Sequence, residues 1–316
     1  MNYDHRIASD RGSSFLALGP DGAERIVTVS PSLARPVVGD YVVLDADGRV
    51  ESLAPRRGVL ARARADRGHA AQIVAAHLDV VFIVTAPGRE FSPPRVERYL
   101  TAVYAGGIAP VIVLNKSDLA EDIVGLRLEL AIVAGDTRVL AMSAATGDGC
   151  DVLREYLRPQ TTIALVGSSG VGKSTLANLL AGDRRLATGT TRASDGRGKH
   201  TTTAREMIAL PGGGWLIDTP GMRAFAPWAD EDALAESFAE IDAAARRCRF
   251  RDCAHAGEPG CAVAAEIDGA RVARWRSLRA ELTYLERRDD PALSALERTR
   301  WKQLTKAQRA KAKLGH

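Results

Sequence analysis

The sequence predicts a multidomain α/β protein: a small N-terminal β-barrel, a central and mostly parallel sheet covered by helices, and a helical C-terminal module stapled by a metal. Three observations predict it. Short β-type runs broken by Gly, Pro and Asp fill the first 75 residues. From Asp79 onward, apolar strands alternate with an amphipathic helix and loops. Near the end, Cys248, Cys253, His255 and Cys261 crowd together ahead of Arg-rich helical stretches. At 316 residues the chain exceeds one ordinary core, so two or three domains are expected.

The barrel is predicted from runs at residues 24–29, 37–44 and 50–53, whose short, regular spacing between turn residues is that of a closed or nearly closed sheet. Arg56, Arg57, Arg62, Arg64 and Arg67 follow as a basic stretch that suits either nucleic acid or solvent. The central domain is predicted from a strand at 80–84, a helix over about 94–104 and a strand at 110–114, a βαβ pattern that demands a parallel sheet. Further strands are expected at 138–142, 162–166, 206–210 and 214–217. Residues 187–203 have no hydrophobic period and carry Gly189, Gly196 and Gly198, which predicts a mobile loop. Helices are expected over 271–287 and 293–313, parted by Asp289-Asp290-Pro291. The resulting division is 1–75, 76–245 and 246–316.

Composition narrows the class. No run approaches the roughly eighteen uninterrupted apolar residues of a membrane span, and the first residues do not resemble a signal peptide, so no membrane role and a cytoplasmic home are expected. Four cysteines are too few for a disulfide framework. Cys150, apart from the other three, reads as an inert helix-start or core residue. The net charge of +4 hides an asymmetry: from Arg246 onward there are 17 Lys or Arg against 9 Asp or Glu. A basic end fits a polyanionic partner, or else simply a solvated helix.

Residues 167–174, Gly167-Ser168-Ser169-Gly170-Val171-Gly172-Lys173-Ser174, have P-loop spacing between an apolar strand and a helix beginning at Thr175. The glycines let successive N–H groups turn onto phosphates, Lys173 neutralises the outer ones and Ser174 ligates Mg²⁺. Asn115-Lys116-Ser117-Asp118 stands directly after a strand, where α/β sheets hold ligands. The Asp118 carboxylate accepts from the ring N–H and exocyclic amine of guanine, a donor pair that adenine lacks. Asn115 is expected at the opposite edge of the base and Lys116 across its ring. Ser143-Ala144-Ala145 ends another strand, where a backbone N–H near Ala144 is suited to the guanine carbonyl. Asp218-Thr219-Pro220-Gly221 ends a fourth: Asp218 would hold Mg²⁺ through water and the Gly221 amide would sense the γ-phosphate.

In an ordinary GTPase the P-loop comes first and the guanine motifs last, whereas here Asn115 and Ser143 precede Gly167. A circularly permuted P-loop GTPase domain that binds GTP and GDP is therefore expected, its packing preserved because the original termini lie close together. Permutation puts Asp218 and Gly221 near the end of the domain, where a γ-phosphate-dependent shift is expected to be read out by the metal module. Met222 stands where Ras-type enzymes carry a water-orienting glutamine, and a thioether cannot orient water. His200 is the nearest imidazole, able to hydrogen-bond water at neutral pH, but on sequence grounds alone an exposed loop histidine describes it better than a catalytic one. One of Thr201, Thr202 and Thr203 should close over Mg²⁺; spacing does not say which, and Thr202 is carried as the candidate.

Cys248, Cys253, His255 and Cys261 give C-x₄-C-x-H-x₅-C. Three thiolates and one imidazole saturate a tetrahedron, so one structural Zn²⁺ is expected, fixing a segment too short for its own core.

With these motifs in this order, the chain resembles the ribosome small-subunit-dependent GTPase A, or RsgA/YjeQ-like, family over nearly its whole length. The resemblance rests on the barrel, on residues 115–118, 167–174 and 218–221, on the Gly198-x-His-Thr-Thr-Thr loop and on the Cys/His cluster. It implies an N-terminal OB-fold that binds RNA, a zinc-binding C-terminal domain, and GTP hydrolysis stimulated by the small ribosomal subunit during its late maturation, with rRNA as a partner. It also implies that His200 is the catalytic group. The expected state is a monomer. The barrel is only modestly basic for this reading, and the tail ending Lys311-Ala312-Lys313 is richer in Lys and Arg than the family's pattern. Two rivals stand beside it: an RNA-binding module in which turnover is incidental, favoured by the missing glutamine, and a permuted GTPase of large-subunit assembly.

Overall fold

A computed structural model describes residues 3–62, 72–182, 206–218 and 231–289. They form two compact units, the first running through Ser237 and the second from Phe238. The sequence-predicted loop at 187–203 and helix at 293–313 lie outside the described residues.

The first unit begins with β1 (His5–Asp10), β2 (Phe15–Leu18), β3 (Glu24–Val29), β4 (Tyr41–Leu44) and β5 (Arg49–Leu53). The strands run in the order β1-β2-β3-β5-β4, and β4 pairs back with β1, which closes a five-stranded barrel of OB type. All pairings are antiparallel except β3–β5. Its centre is packed by Ile7, Phe15, Ala17, Val27, Val42 and Val50. Of these strands, β3, β4 and β5 fall within the sequence-predicted runs or a residue beyond them, but the run at 37–44 is strand only from Tyr41. Gly39 breaks it, with φ +98 and so little room that a Cβ would lie 2.1 Å from the Ala76 carbonyl oxygen. A hairpin of β6 (Leu60–Arg62) and β7 (Gln72–Ala75) follows.

The central sheet contains β8 (Val80–Thr85), β9 (Ala109–Leu114), β10 (Val139–Ala141), β11 (Thr162–Gly167), β12 (Glu206–Ala209) and β13 (Trp215–Asp218). Its order is β10-β9-β8-β11-β13-β12, parallel throughout except at β12–β13. Parallel strands must be covered on both faces, and every residue of β8 and β11 is buried. Alternation along β8 sends Val81 and Ile83 into one cluster with Leu100, Ile112 and Leu130, and Val80, Phe82 and Val84 into another with Leu165, Leu176 and Leu180. The helices are α1 (Pro93–Ala105), α2 (Ile123–Ala134), α3 (Lys173–Ala181) and α4 (Glu231–Ser237). α1 starts with Pro at its first turn, where a missing N–H costs nothing.

Barrel and central sheet are continuous: β1 pairs with β12 through Ser9 and Glu206. Arg6 reinforces the junction. Its guanidinium is buried, donates to the Gly39 and His77 carbonyls and to Thr162 Oγ1 at 2.7 Å, and lies 4.8 Å from the centre of the Tyr41 ring. Burial lowers its pKa from the usual arginine value, opposed by Tyr41 and Asp79. Nearby, Asp40 is fully buried and meets Arg56 with two parallel hydrogen bonds of 2.8 and 2.7 Å.

The second unit has α5 (Ala239–Ala245), α6 (Ala262–Glu266) and α7 (Gly269–Asp289) around the cysteine-rich turns. No described helix is long and apolar enough to cross a membrane.

Candidate functional site

Parallel strands end on one edge, and the motifs sit there. Residues 115–118 follow β9, residues 143–145 follow β10, and residues 167–174 leave β11 for α3. Asn115 ties the three together. It is almost wholly buried; its Nδ2 donates to the Val171 carbonyl at 2.8 Å, and its Oδ1 accepts from the Ala144 amide at 2.9 Å. The next residue, Lys116, holds a left-handed φ of 60°, a strained conformation for a residue with a side chain. Its stem reaches the P-loop: a Cβ on Gly172, where φ is +92°, would stand 3.6 Å from Lys116 Cε and 2.3 Å from Asn115 Nδ2. Gly172 is thus glycine for two reasons, its backbone and the amide pressed against it. Asp118 and Ser117 lie in the short 3₁₀ turn Ser117–Leu119 that follows.

Lys173 opens α3, and its ammonium donates to the carbonyls of Gly167 and Ser168, folding back over the loop. Ser174 and Thr175 are exposed in the first turn of α3, and Val171 is buried against the core. Two contacts absent from the sequence reading come from the segment after β8. Arg95, in the first turn of α1, donates to Ser168 Oγ and pairs with Glu90 at 3.6 Å, and Glu90 Cγ lies 4.0 Å from where a Cβ on Gly170 would stand. No motif spacing marks these two, because they reach the P-loop from a different strand end. Ser169 sits between them in the loop.

Ser143 is fully buried and organises its own turn: its carbonyl accepts from Gly147 and its Oγ from Thr146. Its carbonyl also faces the Cys150 thiol at 3.4 Å, and burial pushes that thiol's pKa up, as suits an inert core cysteine. Because the Ala144 amide already donates to Asn115, it serves the frame of the turn in this structure. Asp218 is the last residue of β13, its backbone opposite Glu206. His200, Thr202 and Gly221 lie outside the described residues.

In the second unit, the donor atoms of Cys248, Cys253, His255 and Cys261 all lie within 4.8 Å of one another. His255 Nδ1 is 3.6 Å from Cys248 Sγ and 3.5 Å from Cys261 Sγ, and the two sulfurs are 4.0 Å apart. A tetrahedral zinc with bonds of about 2.0–2.3 Å needs ligand separations of about 3.5–3.8 Å; the two nitrogen–sulfur separations match, and the four donors, all within 4.8 Å, need only a small contraction onto the ion. The thiols shift in opposite directions: backbone N–H groups of Val263, then Ala262, at the start of α6 pull the Cys248 thiol pKa below its usual value, whereas burial foremost, with Cys261 and Cys248 beside it, pushes Cys253 up to about 12, so a metal would have to displace that proton to bind. Glu258 ties the intervening turn by accepting from the Ala254 and Ala256 amides at 3.1 and 2.7 Å. The His255 ring lies 5.5 Å from that of Trp275 on α7, which anchors the cluster to that helix.

A family model described as RsgA GTPase matches residues 53–228. A protein of Opitutus terrae named small ribosomal subunit biogenesis GTPase RsgA is 43% identical over 300 residues, covering 89% of this chain and 82% of its own. A protein of Methanosarcina acetivorans with the same name is 43% identical over 280 residues, covering 85% of this chain and 76% of its own. Among solved structures, YjeQ from Thermotoga maritima is similar with a TM-score of 0.65 and 25% identity, across 89% of this chain and 98% of that one. YloQ, described as a circularly permuted GTPase, shares the fold with a TM-score of 0.62 at 22% identity, across 89% of this chain and 94% of that one. The inverted succession of motifs, their convergence on one sheet edge, the five-stranded barrel and these likenesses agree: the chain belongs to the RsgA GTPase family.

Proposed function

We infer that this GTPase binds the small ribosomal subunit and acts in its late maturation, hydrolysing GTP to GDP and phosphate when the subunit is engaged, with hydrolysis driving release. One observation supports the nucleotide half of the reading: Asn115 bridges the P-loop at Val171 and the turn at Ala144, as expected if the phosphate cradle and the guanine loops serve one ligand, while the ribosomal half rests on the likeness to small-subunit biogenesis GTPases. In this reading Asp118 selects guanine, Lys116 lies along the base, and an amide of the turn at residues 143–146 meets its carbonyl. Residues 167–175 hold the phosphates, with Lys173 turning outward to the β- and γ-groups. Ser174, Thr202 and Asp218 would hold Mg²⁺, which when bound would supply positive charge to the β- and γ-phosphates, and the Gly221 amide would meet the γ-phosphate. His200 orients the attacking water in place of the glutamine that Met222 cannot supply.

The cysteine cluster holds one structural Zn²⁺, leaving no open position for chemistry. Segments 1–75, 76–245 and 246–316 act as RNA-contacting barrel, switch and zinc domain. The partner is the subunit's rRNA, the protein works as a monomer, and the site of action is the cytoplasm, where ribosomes assemble.

The test is GTP turnover by the full chain, alone and with purified small or large ribosomal subunits. Slow turnover alone and strong stimulation by small subunits are expected. His200→Ala should keep GTP affinity and lose the stimulation. Equal rates with and without small subunits would overturn the reading in favour of an RNA-binding module, and stimulation by large subunits only would move the enzyme to the other assembly line.

A further inference from the structure

The segment around the first cysteine of the second unit, from Arg246 into the turn between Cys248 and Cys253, carries more charge and more exposed ring than a metal staple needs. Within six residues it presents Arg246, Arg247, Arg249, Phe250 and Arg251, all exposed. Phe250 is 42% exposed, the aromatic ring among the large apolar side chains that are exposed in the described residues. Arg249 Cζ lies 5.4 Å from the centre of its ring. The segment is nonetheless held firmly: Cys248 and Cys253 bracket Arg249, Phe250 and Arg251 within the cluster, and the Arg249 amide donates to the Gly260 carbonyl at 3.1 Å.

We propose that this turn is a binding surface for unpaired RNA, with Phe250 stacking on an exposed base and the surrounding arginines neutralising the flanking phosphates. The proposal rests on the ribosomal reading above and names the surface of the second unit that would meet RNA. Three physical points carry it. First, a single flat ring among four guanidinium groups is not the broad apolar patch that a protein partner would need, but it is the combination that single-stranded nucleic acid uses. Second, Arg246 and Arg247 already pair with Asp242 and Glu266, but both pairs are solvent-exposed. Exposed pairs of this kind are screened by solvent and contribute little, so a phosphate can displace the carboxylates. Third, a turn already fixed by its cysteines loses little conformational freedom on binding. A duplex hides its base faces inside the stack, so the ring should discriminate against paired RNA while the arginines do not.

The experiment titrates the full-length, zinc-loaded protein into a labelled, unstructured RNA oligomer and into the same oligomer annealed to its complement. Phe250→Ala and Phe250→Leu should each weaken single-strand binding about 5- to 150-fold, equivalent to about 1–3 kcal/mol for one stacked base, and leave duplex binding unchanged. Phe250→Trp should restore it. Leu keeps the apolar bulk and loses the flat face, so wild-type affinity in Phe250→Leu, or equal losses on single strand and duplex, would overturn the proposal. Arg251→Ala, an exposed change that leaves the cluster intact, should lower the log–log salt slope on single-stranded RNA by about 0.7; an unchanged slope would also overturn it. The two readings fail separately. Wild-type turnover that small subunits do not stimulate removes the proposed function, whereas stimulated turnover beside RNA binding indifferent to Phe250 removes this inference alone.

Discussion

Replacing Asn115 with Ala tests the bridge on which the nucleotide site depends. The side chain is 1% exposed and makes hydrogen bonds of 2.8 and 2.9 Å, so the substitution strands the Val171 carbonyl and the Ala144 amide in buried surroundings. Each unpaired group costs about 1–3 kcal/mol, and partial entry of water places the sum at about 2–4 kcal/mol. For a unit of this size, each kcal/mol moves the melting temperature by about 2–4 °C, so a drop of about 5–15 °C is expected. Losing the bridge should also release the P-loop from the guanine turn and weaken GDP binding by at least about tenfold, or roughly 1.4 kcal/mol. Circular dichroism melts with and without saturating GDP, together with titration of a fluorescent GDP analogue, measure both effects. Asn115→Asp should be the worse of the two at the P-loop, because it turns an acceptor toward the Val171 carbonyl. A melting temperature within about 1 °C of wild type and unchanged GDP affinity in Asn115→Ala would refute the bridge.

Four further outcomes follow from the same structure. Arg6→Met removes three buried hydrogen bonds at the barrel–sheet junction and should cost about 3 kcal/mol in urea unfolding. His77, buried beside Tyr41 with an unpartnered Nε2, has its pKa lowered from 6.5 by burial foremost, with Asp40 opposing and Arg6, Arg57 and Arg56 adding to the effect. The unfolded chain therefore binds that proton first, so stability should hold above about pH 6.5 and fall as the pH drops below it; His77→Gln should flatten that part of a pH series of urea melts. Chelation of zinc should raise amide exchange across residues 238–289 while GDP binding by the first unit persists, read by hydrogen-exchange mass spectrometry. Asp118→Asn should lower the preference for GTP over other purine nucleotides in competition binding, and unchanged discrimination would count against that carboxylate as the selector.

Much of the central sheet was legible because buried parallel strands are continuous apolar runs, and β8, β9, β11 and β13 appear within a residue or two of their expected bounds. What escaped had physical reasons. β1 reads His-Arg-Ile-Ala-Ser-Asp, and two of its polar residues, Arg6 and Ser9, are buried at a junction rather than exposed, so alternation gives no strand signal. α2 lacks a helical period because Val124, Leu128 and Ile132 are exposed while Leu130, Val133 and Ala134 are buried, leaving apolar side chains on every face. At the site, motif spacing located the loops but assigned Asn115 to the base alone. Its bridging role depends on Val171, 56 positions away, which no local pattern encodes.

The pairing of β1 with β12 has a consequence for anyone dissecting this chain. β12 is the edge strand of the nucleotide-binding sheet, and β1 pairs with its outer side at Ser9 and Glu206. A truncation beginning after the barrel would bare that side as an uncapped template for other strands, inviting self-association. Poor behaviour of such a fragment would then report an exposed seam, not an inability of the catalytic core to fold.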